Sequence, residues 1–270
     1  MSLSVGTGFS GLAARRAELV ASTLTTLRGW VPIALRQRVW ELRTLRAVTG
    51  ASPIDVDRLF ARIAPTVDRA RLRRLHAAHR NAALDIEQAC DHERKLRVAI
   101  VKAMLSGLHT APRQRVLDLG HGGGYFVMVC RQLGHDCHGT EVPLDQLPRT
   151  AAAVYAEITA ALGFHDEQRL RVEAYRPLAL DGKYDLICAH KLCFNDHRRP
   201  TEWGVPEWRF FVEDVRRHLT PTGRVMLDLN EHVERYGRLR WYDRAQLDYF
   251  ASVGTVSGSW ITIRNSRPTS

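Results

Sequence analysis

The chain has no apolar run near the roughly 18 residues a bilayer-spanning helix needs. The start, MSLSVGTGFSGLAARRAEL, also lacks the basic segment followed by an apolar core that marks a secretory leader. Cysteine is sparse: five residues, an odd number, with no regular spacing. That excludes a disulfide-stapled secreted scaffold and points to a reducing, cytoplasmic setting. Lysine is rare beside arginine, and alanine is abundant, a composition typical of high-GC bacterial genomes. There is no internal repeat and no long low-complexity tract. What remains is a soluble globular composition of 45% hydrophobic and 25% charged residues in 270, enough to bury a sizeable core.

The formal charge of +10 is unevenly spread. Residues 1–115 carry 20 Lys and Arg against 9 Asp and Glu, whereas the remainder carries 19 against 20. A basic N-terminal part is either a solvated helical surface or an attraction to an anionic partner, such as a phosphate-bearing substrate, a membrane surface or RNA. RARLRRLHAAHR at Arg69–Arg80 is its densest stretch.

Residues 1–108 read as a helical, basic region and 109–270 as a second unit. In the first, Val20, Leu24, Leu27, Val31, Leu35, Val39, Leu42 and Leu45 recur at steps of three and four. Pro32 should kink or divide that ribbon. The stripe needs a cover: the second unit (as a lid), another subunit, or a membrane surface. Ser52 and Pro53 look like an N-cap and first turn, and Gly107 like a helix stop.

From Arg115 short apolar runs alternate with helical stretches. RVLDLG, DCHGTEV, RLRVEAY, YDLICAH, GRVMLDLN and SWITIRN read as strands, separated by helices. This predicts an α/β fold, a doubly wound and mostly parallel sheet with helices on both faces.

The loop after the first strand concentrates the chemistry. Four glycines fall within five residues: Gly120, Gly122, Gly123 and Gly124. Without Cβ atoms they permit positive φ and let a ligand touch the main chain. No lysine follows them, which excludes the triphosphate loop G-x-x-x-x-G-K-[ST]. The dinucleotide pattern G-x-G-x-x-G fails in both registers, because its third glycine falls on Tyr125 or Val127.

Asp118 to Gly124 instead spells D-x-G-x-G-x-G and resembles the first motif of class I S-adenosylmethionine-dependent methyltransferases. The resemblance runs over residues 112–265. It continues through Glu141 after the second strand, Glu173 and Ala174 after the third, YDLICAH ending at His190, and the L-x-P-x-G turn of LTPTG before the fifth strand. It implies a Rossmann-like fold with S-adenosylmethionine as cofactor. The backbone of Gly120, His121, Gly122 and Gly124 would pack against the methionine and ribose part, and Asp118 would order the loop or interact with the cofactor's amino group. Glu141 would accept from the ribose hydroxyls, Glu173 and Ala174 would flank the adenine, and His190 would contact the cofactor through its backbone.

The family usually ends in two further strands, the last antiparallel. Here only TVSGSWITIRN is left for them, so the edge is short or a hairpin turns at Ser257-Gly258.

The segment following the fourth strand should hold the acceptor, with Phe194, Trp203 and Trp208 as walls. His190 or His197 would serve as general base, because imidazole titrates near neutrality. Asp196 could orient an imidazole. His135, Cys137 and His138 straddle a predicted strand, so their side chains diverge and no metal site is expected. The acceptor implied is a small molecule with a hydroxyl, amine or carboxylate; no N-P-P-[YF] tetrapeptide marks a planar nitrogen. The alternative is an RNA methyltransferase or nucleic-acid-binding protein using the basic helices, although no RNA-binding module is visible.

Overall fold

The computed structural model describes residues 39, 44–45, 53–79, 84–142, 149–163, 168–191, 203–230, 232–233 and 239–265. The helical stripe from Val20 to Leu42 therefore lies outside the described residues, apart from Val39. None of the described helices is long and apolar enough to cross a membrane.

From Pro53 onward the described residues form four α-helices before the sheet: α1 (Pro53–Ile63), α2 (Arg69–Ala78), α3 (Leu84–Cys90) and α4 (His92–Leu105). α1 begins at Pro53, where a fixed φ and a missing N–H cost nothing. Gly107 stops α4. Its N–H donates to the Met104 carbonyl and that of Leu108 to the Ala103 carbonyl, the paired closure that a left-handed residue (φ 68°) permits.

The sheet then alternates with helices in the order β1 (Arg115–Leu119), α5 (Tyr125–Gln132), β2 (Asp136–Glu141), α6 (Arg149–Ala161), β3 (Gln168–Arg169), β4 (Tyr184–His190), α7 (Val205–Arg216) and β5 (Leu219–Asp228). A two-stranded ribbon, β6 (His232–Val233) and β7 (Leu239–Arg240), leads to α8 (Arg244–Val253). The hairpin of β8 (Thr255–Ser257) and β9 (Trp260–Arg264) closes the chain. The seven-stranded sheet has the spatial order β3-β2-β1-β4-β5-β9-β8. β1 to β5 are mutually parallel, while β9 runs antiparallel to β5 and to β8. The doubly wound, mostly parallel architecture is the one expected. The end of the chain resolves as the hairpin, with Ser257 paired to Trp260 across Gly258.

Strand alternation sorts side chains onto two faces. Val116, Leu186, Cys188 and Met226 point to one face, under α4 to α6. Leu117, Ile187, Ala189, Val225 and Leu227 point to the other, under α7 and α8. The first core continues without a break into α1–α4 through Val56, Ile63, Leu72, Leu96 and Ile100, and it includes the fully buried Leu45. The helices before β1 thus share a core with the sheet. Polar ties reinforce the join: Tyr125 Oη donates to the Ala89 carbonyl at 3.3 Å, and Arg224 donates to the Ser106 carbonyl at 2.6 Å.

Two sequence expectations need correction. RLRVEAY reads as a full strand in the sequence, but β3 covers only Gln168 and Arg169. Beyond it the chain turns away at Tyr175, a non-glycine residue at φ 59°, and is tied to α7 by Asp214 accepting from the Leu178 N–H at 2.7 Å. LTPTG reads as a turn before the fifth strand in the sequence, but β5 already begins at Leu219. The proline-containing stretch bulges out of register between the Tyr184–Leu219 and Leu186–Arg224 pairs.

His92, at the start of α4, is 5% exposed, and neither ring nitrogen has a hydrogen-bond partner. Glu93 at 4.0 Å is too distant to supply one. Burial lowers its pKa; the flanking Glu93 and Asp91 oppose that shift, while Arg69 and Arg73 add to it. A histidine held neutral stabilises the fold above its unfolded pKa of about 6.5, and that stability is lost as pH falls through the lower folded value. The midpoint of thermal unfolding should therefore drop between about pH 7.5 and about pH 5. His92→Leu, which removes the unpartnered nitrogens, should make that drop smaller; an identical drop in the variant would clear His92 of the effect.

Candidate active site

The order of connection reverses between β1 and β4: β1 continues outward to β2, and the chain returns on the other side as β4. Open parallel sheets bind ligands in the crevice that this reversal leaves beyond the carboxyl ends. Here Asp118, the glycine loop, Glu141, His190 and Asp228 gather at those ends.

The loop is sewn to β2. The His121 N–H donates to the Thr140 carbonyl at 2.9 Å, and the Gly120 N–H to Thr140 Oγ1 at 3.3 Å. The Gly122 N–H donates to Glu141 Oε2 at 2.7 Å, while Oε1 accepts from the Val142 N–H at 2.9 Å. Gly122 has φ 57°, and a Cβ built there would meet nothing within 4 Å. Its glycine is thus demanded by conformation, and the space over it is open. Gly123 is closed in, since its Cβ would sit 3.0 Å from Ile158 on α6.

Asp118 and His190 form a buried pair, at 2% and 9% exposure, with Asp118 Oδ1 3.1 Å from His190 Nδ1. A carboxylate can only accept, so Nδ1 carries the proton and Nε2 presents its lone pair. Nε2 is buried and has no partner. The imidazole is wedged between Phe126, with ring centroids 4.6 Å apart, and Trp260 at 5.8 Å. Burial is the main cause of its lowered pKa, followed by the Lys102 charge, and together they outweigh Asp118 and Asp228. The ring is therefore neutral near pH 7, in one fixed tautomer. This is the arrangement by which a carboxylate orients a histidine base.

The neighbouring pair is Asp228 and Lys191. Lys191 has φ 56°, and its ammonium lies 3.1 Å from Asp228 Oδ1 and donates to the Leu229 carbonyl at 2.6 Å. Ser259 Oγ donates to the same Asp228 oxygen at 2.8 Å. Lys102, on α4, adds a further positive charge to this cluster. The sequence reading missed both lysines. They lie 89 residues apart, on a helix before the sheet and at the end of β4, and only the packing of α4 on the sheet brings them together.

Other expected residues are placed as follows. The His121 ring lies against Gly139 of β2, where an added Cβ would be 2.7 Å from it. Glu173 sits on the loop after β3, bonded to Arg176 at 2.6 Å and paired with Arg171 at 3.3 Å, beside the exposed Ala174. His197, Phe194 and Asp196 lie outside the described residues. Trp203 and Trp208 are not acceptor walls. They are buried in the second core and pack against each other and Phe211, because α7 starts at Val205 and turns that face inward. His135 holds the helix-to-strand turn: Nδ1 accepts from the Gln114 N–H, which leaves Nε2 to donate to the Leu108 carbonyl at 2.7 Å. His138 instead pairs with Asp136, and Cys137 is buried in the first core. No group of three His, Cys, Asp or Glu side chains able to hold a metal occurs among the described residues.

The fold and this site define a doubly wound sheet with a crevice beyond its carboxyl ends and an oriented histidine at its floor. No protein-family model and no curated protein matches the chain. Among solved structures, it is similar to the PH0226 protein of Pyrococcus horikoshii, at 16% identity and TM-score 0.43, over 65% of this chain and 92% of that one. It is also similar to CalS10, an amino pentose methyltransferase of Micromonospora echinaspora, at 15% and 0.41, over 64% and 92%. A third similarity is to the glycopeptide N-methyltransferase MtfA, at 19% and 0.34, over 51% of this chain and about half (54%) of that one. Likeness at this level assigns neither cofactor nor substrate.

Gly139 offers a sharp test of the loop. Gly139→Ala should push the His121 ring out and displace the glycine loop, at a cost of about 1–3 kcal/mol as for other overpacked sites. A chemical-denaturation midpoint equal to wild type would show that the ring has room to move.

Proposed function

We propose that the chain is an S-adenosylmethionine-dependent methyltransferase acting on a small-molecule acceptor. The observation that carries this reading is the open cradle at Gly122, bonded to the carboxylate of Glu141 and adjoining the Asp118–His190 pair. The residues fit the cofactor. Space lies over a backbone that bears no side chain, and Glu141 keeps a second lone pair on each oxygen for ribose hydroxyls. His190 adds an orphaned acceptor nitrogen.

In this reading Gly120, Gly122 and Gly124 hold the amino-acid and ribose part, Glu141 the ribose, and Glu173 with Ala174 the adenine end. Bound S-adenosylmethionine supplies an electrophilic methyl group on a sulfonium. The protein's share is to orient the acceptor, exclude water and remove its proton. His190 suits the last task. Asp118 fixes Nδ1–H, Nε2 is free to accept, and the ring is neutral at the start. A hydroxyl or amine acceptor would lose its proton to Nε2, and the resulting imidazolium would be stabilised by Asp118. His197 is the other candidate base.

The nucleic-acid alternative loses support from the basic helix that motivated it. Arg69 pairs with Glu93 at 2.7 Å and Arg71 with Glu157 at 2.5 Å, so two of its cations are matched within the fold.

Isothermal titration with S-adenosylmethionine tests the reading: wild type should bind. Gly122→Val should fold and not bind, since a branched residue resists φ 57° and fills the open space. Glu141→Ala should weaken binding by about 1.5–3 kcal/mol, the range for hydrogen bonds to a charged group. Absence of binding to wild-type protein at millimolar cofactor would overturn the cofactor assignment.

A further inference from the structure

Of the 39 Lys and Arg residues in the chain, only four are lysine: Lys95, Lys102, Lys183 and Lys191. Arginine serves almost everywhere a surface cation is needed. Lysine differs in being a compact ammonium whose proton affinity responds to burial. Three of the four lysines belong to α4 or to the end of β4. Lys191 already has Asp228 as its partner. Lys95 and Lys102 do not resemble it.

Seven residues separate Lys95 from Lys102, nearly two full turns, so both stand on one side of α4 about 10.5 Å apart along the axis. Both are partly buried. Among the described residues, neither ammonium has a carboxylate within ion-pair distance. The two nearby acids are engaged elsewhere, Asp118 with His190 and Asp228 with Lys191 and Ser259.

The packing of α4 sets their height. The helix leads through Gly107 into the start of β1, so it runs back along the sheet against the strand direction. The Ser106 carbonyl meets Arg224, four residues before the end of β5. Lys102 is one turn above that level, and its chain reaches toward Asp118 and Asp228. By the helical rise, Lys95 stands about 10.5 Å further along, in the direction of the carboxyl ends of the strands.

The electrostatics agree with this placement. Burial is the largest cause lowering Lys95, to about 8, and the Lys102 charge comes next, with Arg94 adding to the shift and Asp91 opposing it. Burial also lowers Lys102, and Asp228 and Asp118 act against that shift. The two partly buried ammonium groups stand on one flank of α4, repel each other and have no ion-pair partner among the described residues. Such an arrangement is costly unless something negative comes between them.

We propose that this face of α4 is a carboxylate receptor, in which Lys95 and Lys102 together take a carboxylate delivered into the site by a ligand. The inference rests on the cofactor reading above. It deepens that reading by making a helix outside the alternating region part of the binding site. The carboxylate has two possible sources, the amino-acid end of the cofactor and an acid group on the acceptor.

Having only four lysines makes a direct test practical. Reductive ¹³C-methylation retains the charge, and each methyl-lysine NMR signal is assigned by its Lys→Arg variant. Titration of the free protein should find Lys95 near 8. Saturation with S-adenosylhomocysteine should raise Lys95 or Lys102 by at least about one unit, a tenfold gain in proton affinity, whereas 5′-methylthioadenosine, which lacks the amino-acid end, should not. That result supports the receptor with the cofactor as source. If S-adenosylhomocysteine moves neither lysine but acetate added to that complex raises one of them, the receptor stands and the acceptor is the source. If neither ligand moves either lysine while both nucleosides bind, the proposal is overturned. If neither nucleoside binds, the cofactor reading itself has failed. Lys183, which donates to the Arg217 carbonyl, is the internal control and should not move in any arm.

Discussion

A carboxylate at 2% exposure cannot stand alone in a parallel sheet, and Asp118 lies on the same face as the buried Val116 and Cys188. Its partner is the Nδ1–H of His190, supplied by the adjacent strand. That bond is possible only because β1 and β4 are neighbours in register, with Asp118 opposite Cys188 and His190 two residues further on. The same register places the glycine loop beside the end of β4. The proton position and the location of the crevice follow from one buried acid needing one buried donor, while the neutral state of the ring comes from burial and the Lys102 charge, against the pull of Asp118.

The helices before β1 take part in this arrangement. They share their core with α5 and α6, and α4 closes the face of the sheet on which Asp118, His190 and Asp228 lie. Had α4 been only a cover, apolar residues at every inward position would have served, as Leu96, Ile100 and Met104 do. Lysines on the flank of that surface bring charge to a place where charge is expensive. Arg69 and Arg71 of α2 behave differently. They are partly exposed and matched by Glu93 and Glu157, where such pairs contribute little to stability.

The order of strands and helices from Arg115 onward was legible in the sequence, because period-two and period-3.6 patterns are written locally. The glycine-rich turn and the left-handed stop at Gly107 were legible for the same reason: each depends on residues close in the chain. What failed to show depended on packing between distant segments. β3 shrank to two residues, because the following loop is held by Asp214 of α7 instead of a neighbouring strand. Trp203 and Trp208 looked like pocket walls from their nearness to the fourth strand, but the start of α7 turned them inward. Lys95 and Lys102 read as ordinary polar positions on a helix, and nothing local distinguishes them.

Glycine marks the same division. At Gly122 the backbone angle calls for glycine and the space beyond is empty, so the residue answers to a turn and to whatever fills the crevice. At Gly139 the backbone angle makes no such demand, and the missing side chain is room for the His121 ring. The first kind is recognisable from a motif, since the turn and its glycines are contiguous. The second arises because β2 passes beneath a loop that begins 18 residues earlier. A single glycine inside a strand pattern gives only a general hint of close approach. The loop is therefore fixed by its own glycines and also by one that β2 contributes, and together they hold the Gly122 backbone against Glu141 at the edge of the crevice.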